Sequence, residues 1–149
     1  MPIAEVEFAG GMKFVGHSES GHSITIDSAP EVGGQNQGVR PMELTLIALG
    51  GCTGIDVVSI LNKMRIPFED FRMDIDGTRQ PDHPKTYRTI QLNYRFQADE
   101  SASDKISRAV HLSQEKYCSV SAMLAATAAI EANIYLNGKL LETLPPKAL

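Results

Sequence analysis

The longest hydrophobic stretch of the chain, residues 41–64, is apolar almost all round rather than along one stripe, which predicts a helix buried on most sides. Pro41 suits a first helical position and Glu43 a first turn. Before this stretch, residues 3–8, 12–17 and 22–27 predict three short strands, divided by Gly10-Gly11 and Glu19-Ser20-Gly21. Residues 28–40, rich in Gly, Gln and Asn, carry no core-forming pattern and are expected to form a loop. After the helix, Phe71, Met73 and Ile75 alternate with polar neighbours, as do Ile90, Leu92, Tyr94 and Phe96, so two more strands are expected. Ser101 and Asp104 resemble a capping box opening a helix over about 101–116. A second helix is expected over about 119–131, and Asn137-Gly138 predicts a closing hairpin.

The resulting order, βββ-α-ββ-αα-ββ, points to an α+β fold with a mainly antiparallel sheet rather than βαβ winding. One small sheet cannot cover a helix as apolar as 41–64, so a second subunit is expected to complete the core.

At 149 residues the chain is expected to form a single domain over 1–149, large enough to bury a core without disulfides or metals. A net charge of -4 argues against a nucleic-acid partner, because a surface that tracks phosphates needs a basic excess. The N-terminal residues lack a basic segment followed by an apolar one, so no signal peptide is expected. Gly50, Gly51 and Asp56 interrupt the apolar stretch, which argues against a membrane span. A cytoplasmic location is the expectation, and in that compartment paired cysteines are more often catalytic or redox-sensing than structural.

There are two cysteines. On a helix turning about 100° per residue, Thr45, Cys52, Asp56 and Ser59 form a polar seam. Gly50 and Gly51 beside Cys52 remove two side chains and allow another helix or a substrate to approach. They cost about 1 kcal/mol each in helix propensity. Cys118 follows Glu115-Lys116-Tyr117 at the start of the second later helix, a location expected to lower a thiol pKa. Each cysteine could equally be a small core hydrophobe. His17, His22, His83 and His111 are scattered without metal-ligand spacing, so no metal or other cofactor is expected.

Taken together, the element order, the segment PMELTLIALGGCTGID around Cys52 and EKYCSV around Cys118 resemble the OsmC/Ohr family from Val6 to about Leu136. The resemblance implies an intertwined homodimer with active sites at the subunit interface, and thiol-dependent reduction of organic hydroperoxides or hydrogen peroxide. By position, Cys52 resembles the peroxidatic thiolate and Cys118 the resolving thiol, the pair forming a disulfide reopened by a dithiol reductant of lipoyl or thioredoxin type. The Arg and Glu that orient the reactive cysteine in peroxidase branches fall on Met12 and Met42 here. Glu43, nine residues before Cys52 in a continuous helix, points to the opposite face. Arg40 or Lys13 is then expected to support the thiolate, and Glu115 is a further candidate near Cys118. The alternative is a non-catalytic protein that binds a hydrophobic small molecule in the interface cavity, with the cysteines packing or sensing. A thiol-transfer activity on other substrates is a third reading.

Overall fold

The β-forming runs on either side of the apolar helix build two separate sheets in the computed structural model, which describes residues 2–147. The chain divides after Thr45 into two units. In the first, β1 (Ala4–Phe8), β2 (Phe14–Ser18) and β3 (Ser23–Ile26) form an antiparallel meander. The loop that follows contains a single 3₁₀ turn, Pro30–Val32, and returns beside β3 through a parallel bridge between Ile26 and Val39. Asp27 organises this loop. Its carboxylate accepts the backbone N–H groups of Ser28, Gln35 and Gln37 at 2.7, 3.1 and 3.1 Å. These bonds, the one from Gln37 foremost, hold its pKa below the usual carboxylate range. The loop thus has an order that hydrophobic patterning did not reveal, because a buried carboxylate supplies it.

Helix α1 runs from Pro41 to Lys63. The second unit continues with β4 (Asp70–Arg79), β5 (Tyr87–Gln97), α2 (Ser103–Leu112), α3 (Ser119–Leu124), β6 (Ala129–Leu136) and β7 (Lys139–Leu144). Its sheet has the order β4-β5-β6-β7. The β4–β5 and β6–β7 pairs are antiparallel, whereas β5 and β6 run parallel. A parallel pair needs a crossover connection, and the two later helices provide it. The expected mainly antiparallel sheet therefore contains one βαβ step. At the last hairpin, Asn137 and Gly138 both have positive φ (52° and 84°), as a two-residue turn of this hand requires.

One face of this sheet is dry. Ile90, Leu92, Tyr94 and Phe96 of β5 and Ile134 of β6 are almost completely buried, and the Phe71 and Phe96 rings stack at 4.2 Å. The other face carries a polar ladder in which Asn93 donates to Asp74, Asn133 to Asn93, and Thr143 to Asn133. Strict alternation along β5 is what separates these two faces.

Helix α1 lies on the dry face, but along one stripe only. Leu49, Thr53, Val57 and Leu61, spaced four apart, are all fully buried. Ile47 and Ile55 stand out of the chain's own core, Ile55 being 73% exposed. Burial on most sides is thus not achieved within one chain, because a single sheet can cover only one stripe of a cylinder. Length and composition alone would let α1 cross a membrane. The glycines and Asp56 do not remove that property, and what distinguishes α1 is the stripe packed on the sheet.

The later helices start and stop differently from the sequence expectation. Asp99, rather than Ser101, supplies the cap, accepting the Ser101 N–H at 2.9 Å ahead of a 3₁₀ turn, Glu100–Ala102. Helix α2 ends at Leu112 and passes into a π-helical turn, Ser113–Tyr117. Helix α3 ends at Leu124, well short of 131, because Ala129 already pairs with Thr89 in the sheet.

Candidate active site: a thiol pair on a buried hydroxyl network

Both cysteines adjoin a set of buried polar groups in the second unit. Helix α1 carries Cys52, Thr53 and Asp56 on adjoining positions. Gly50, one turn from Thr53, leaves room for β4: a Cβ there would come within 2.7 Å of the Ile75 Cδ1 tip, which would have to shift. Gly51 faces open space, and with Gly54, Ile55, Val58 and Phe71 it borders an apolar surface groove. The two glycines therefore serve different ends, one admitting a strand and the other leaving surface uncovered.

Cys118 is placed by the π-helical turn. Its N–H bonds Ser113 O at 2.8 Å, a step of five residues instead of four, and the chain then extends before α3 begins. Such single π turns recur where a side chain must be re-aimed. Cys118 is the N-cap of α3, its sulfur accepting the Ser121 N–H at 3.4 Å.

A continuous hydrogen-bonded network runs beside the cysteines. Thr53 Oγ1 lies 2.6 Å from the Tyr94 hydroxyl and 2.7 Å from Ser113 Oγ. Ser113 donates to Asp56 Oδ2 at 2.9 Å. The Gln114 side-chain amide donates to Thr53 at 3.1 Å and Tyr94 at 2.9 Å, and its carbonyl accepts from Ser121 Oγ at 2.8 Å. The set connects Asp56, one turn after Cys52, to Ser121, three residues after Cys118. No buried side-chain polar atom among the described residues lacks a partner, so the network is saturated and its geometry is held on every side.

This setting opposes ionisation of Cys118. The thiol is 4% exposed. Burial pushes its pKa up to about 12; the Ser121 N–H pulls the other way, while a hydrogen bond with the Cys52 side chain and the charge of Asp56 add to the rise. The expected lowering by a helix N-terminus and a nearby lysine is overturned, because α3 is short and dehydration of the sulfur outweighs one N–H. Lys116 is turned aside, its ammonium 5.2 Å from the centre of the Tyr117 ring. Burial likewise raises the pKa of the Tyr94 phenol. Burial thus favours the protonated form of the Cys118 thiol.

The supporting residues expected from sequence have other partners. In the first unit Arg40 donates to Asn36 Oδ1 at 2.7 Å and Gly38 O at 3.1 Å, and Lys13 donates to Gln37 Oε1 at 3.1 Å. Glu43 accepts the Arg40 N–H at 2.9 Å, an acidic third helical residue reaching back to the cap. Glu115 accepts from or is bridged to His111 Nδ1 at 3.1 Å, and His111 Nε2 meets Glu142, which also accepts from Ser107 Oγ. Partial burial disfavours the charged imidazole, but the Glu115 and Glu142 carboxylates outweigh it and raise the His111 pKa. Thr53, Tyr94, Ser113, Gln114 and Ser121 were missed by sequence reading. Their partners lie up to 61 residues away, and the one local signal was a threonine amid an apolar helix.

An OsmC-like protein family model matches residues 34–133, which contain both cysteines and the whole network. The chain belongs to the OsmC family. Protein YhfA of Escherichia coli K12 is 38% identical over 121 residues, covering 81% of this chain and 87% of its own length. The crystal structure of a hypothetical protein from Aquifex aeolicus VF5 superposes with a TM-score of 0.76 at 33% identity, over 92% of this chain and 98% of that one. An organic hydroperoxide resistance protein from Elizabethkingia anophelis has a TM-score of 0.65 over 90% of this chain and 94% of its own, but 15% identity, so that likeness is one of fold. In this α+β chain α1 is the long helix, and of the two sheets one is antiparallel and one mixed.

Two outcomes follow from the site's electrostatics and bonding. Thr53→Val keeps the shape but removes the hydroxyl shared by Tyr94, Ser113 and Gln114, and urea unfolding should show a loss of about 1–3 kcal/mol. An unchanged midpoint would mean that the network rearranges freely. His111→Gln tests the carboxylate clamp. A raised histidine pKa contributes stability below the unfolded value of about 6.5, lost as pH rises through the folded value; the lowered Glu142 pKa contributes above about 4.5. The difference in Tm between wild type and His111→Gln should therefore be greatest between pH 4.5 and 6.5 and shrink towards pH 9. A difference independent of pH would show that His111 acts by packing alone.

Proposed function

We propose that the protein is a cytoplasmic, homodimeric thiol-dependent peroxidase that reduces organic hydroperoxides or hydrogen peroxide through Cys52 and Cys118. The observation that carries this reading is the placing of Cys118, at the cap of α3, on a saturated polar network that reaches Asp56, one turn from Cys52 on α1. Membership of the OsmC family, which has neighbours in fold named as organic hydroperoxide resistance proteins, supports the substrate class.

Chemically, Cys52 is the better nucleophile of the two by position: it is partly exposed, whereas Cys118 is buried and protonated. The Cys52 thiolate attacks the distal peroxide oxygen, the O–O bond breaks, and an alkoxide leaves to take up a proton, giving Cys52 sulfenic acid and an alcohol. Cys118 then attacks that sulfur, its proton departs with the sulfenic oxygen as water, and a Cys52–Cys118 disulfide forms. A dithiol reductant reopens it by two exchange steps, leaving as its own disulfide and returning two protons to the cysteines. Gln114 and Ser121 hold the α3 end in place for the second step.

Wild type treated with one equivalent of cumene hydroperoxide should lose two mass units and both free thiols. Cys52→Ser should consume no peroxide. Cys118→Ser should accumulate a sulfenic acid at Cys52 that dimedone traps. A Cys52 that stays reduced under excess peroxide in folded protein removes the enzyme reading.

The apolar face of α1, with Ile47 and Ile55 outward, supports assembly into a dimer whose interface borders the site. Sedimentation should show a dimer at micromolar concentration, and Ile55→Lys should shift it to lower mass or lower Tm in a concentration-dependent way. A wild-type folded monomer under those conditions would refute the assembly.

A further inference from the structure

Cys118 also borders a second space that the thiol pairing does not use. A cavity of about 600 Å³ opens between the π-helical turn, α3, β6 and the segment after β7, with Cys118 in its wall. That is the size of a small-molecule site. Cys52 is not among the residues that line it.

Two features define what fits. The space exists because the positions facing it are small: Ala122, Ala125, Ala126, Ala128 and Ala132 all line it, with Ile130 and Leu144 completing an apolar wall. Its rim is cationic. Glu115 is engaged by His111, but Lys116 and Lys147 have no carboxylate partner among the described residues. Lys147 donates instead to the Gln114 backbone carbonyl at 3.2 Å, which holds an ammonium at the cavity mouth, and Lys116 rests over Tyr117. In a chain of net charge -4, an apolar recess with two uncompensated lysines at its edge is complementary to an amphiphilic anion.

We propose that this cavity binds a medium-chain carboxylic acid, the alkyl chain lying along the alanines and the carboxylate at Lys116 and Lys147. A bound chain lies against Cys118 in the cavity wall, so occupancy is read out at that thiol. The site lies wholly within the second unit and requires no redox chemistry, which separates it from the peroxidase reading.

The test is isothermal titration calorimetry of the full-length reduced protein with decanoate, decanol and decyltrimethylammonium, each below its micelle concentration and without oxidant. Decanoate should bind saturably, with decanol at least tenfold weaker and the ammonium showing no binding. Lys116→Met with Lys147→Met should bring decanoate down to the decanol value. Ala128→Leu, or Ala126→Leu should the buried substitution impair folding, should weaken both ligands at least tenfold by filling the space. Saturating decanoate should slow N-ethylmaleimide labelling of Cys118, followed by peptide mass, by at least tenfold. Equal affinity for decanoate and decanol, decanoate binding untouched by the lysine or alanine variants, unprotected Cys118 or the lack of saturable binding would each overturn the proposal. None of these results depends on whether peroxide is turned over.

Discussion

The hydroxyl of Thr53 is the point on which this structure turns. It is fully buried in the middle of an apolar helix and is shared among Tyr94 on β5 and Ser113 and Gln114 in the π-helical turn. A lone hydroxyl in that position would cost a few kcal/mol. With all its partners present it becomes a directional joint, which apolar packing alone cannot supply. Side chains of similar size can slide past one another in a core, whereas hydrogen bonds fix both distance and angle. Through this joint α1 is registered against the sheet and against the segment that carries Cys118.

The π-helical turn converts that register into chemistry. Adding one residue to the helical repeat turns the backbone at Cys118 outward from the α2 path and lets its thiol cap α3. The same turn contributes Ser113 and Gln114 to the network and Glu115 to the His111 clamp. Three consecutive residues, Ser113 to Glu115, thereby tie α1, α2 and β5 to the segment that carries Cys118. Rigidity here matters for the proposed Cys52–Cys118 disulfide, because disulfide geometry tolerates little error.

Electrostatically the site divides its two thiols by environment. Dehydration and the nearby Asp56 charge keep a proton on Cys118, with the single helix N–H an insufficient counterweight. The cations expected from sequence near Cys52 are engaged within the first unit, Arg40 with Asn36 and Gly38 and Lys13 with Gln37. Glu43 is engaged in starting α1.

The element order, the two-faced alternation of β4 and β5, the Asn137-Gly138 turn and the helical nature of residues 41–63 were all determined by local sequence, because each depends on neighbours within a few residues. Both cysteines stood out for the same reason: their flanking motifs are contiguous. What only the tertiary structure decided were relations across long separations. Asp99 displaced Ser101 as a cap, Ala129 was drawn into the sheet by β5, and Thr53 became a joint through residues 41 to 61 positions away. The Cys118 pKa belongs with these. A helix N-terminus and a nearby lysine are legible in sequence, but burial is a property of everything packed around the sulfur, and burial governs the proton.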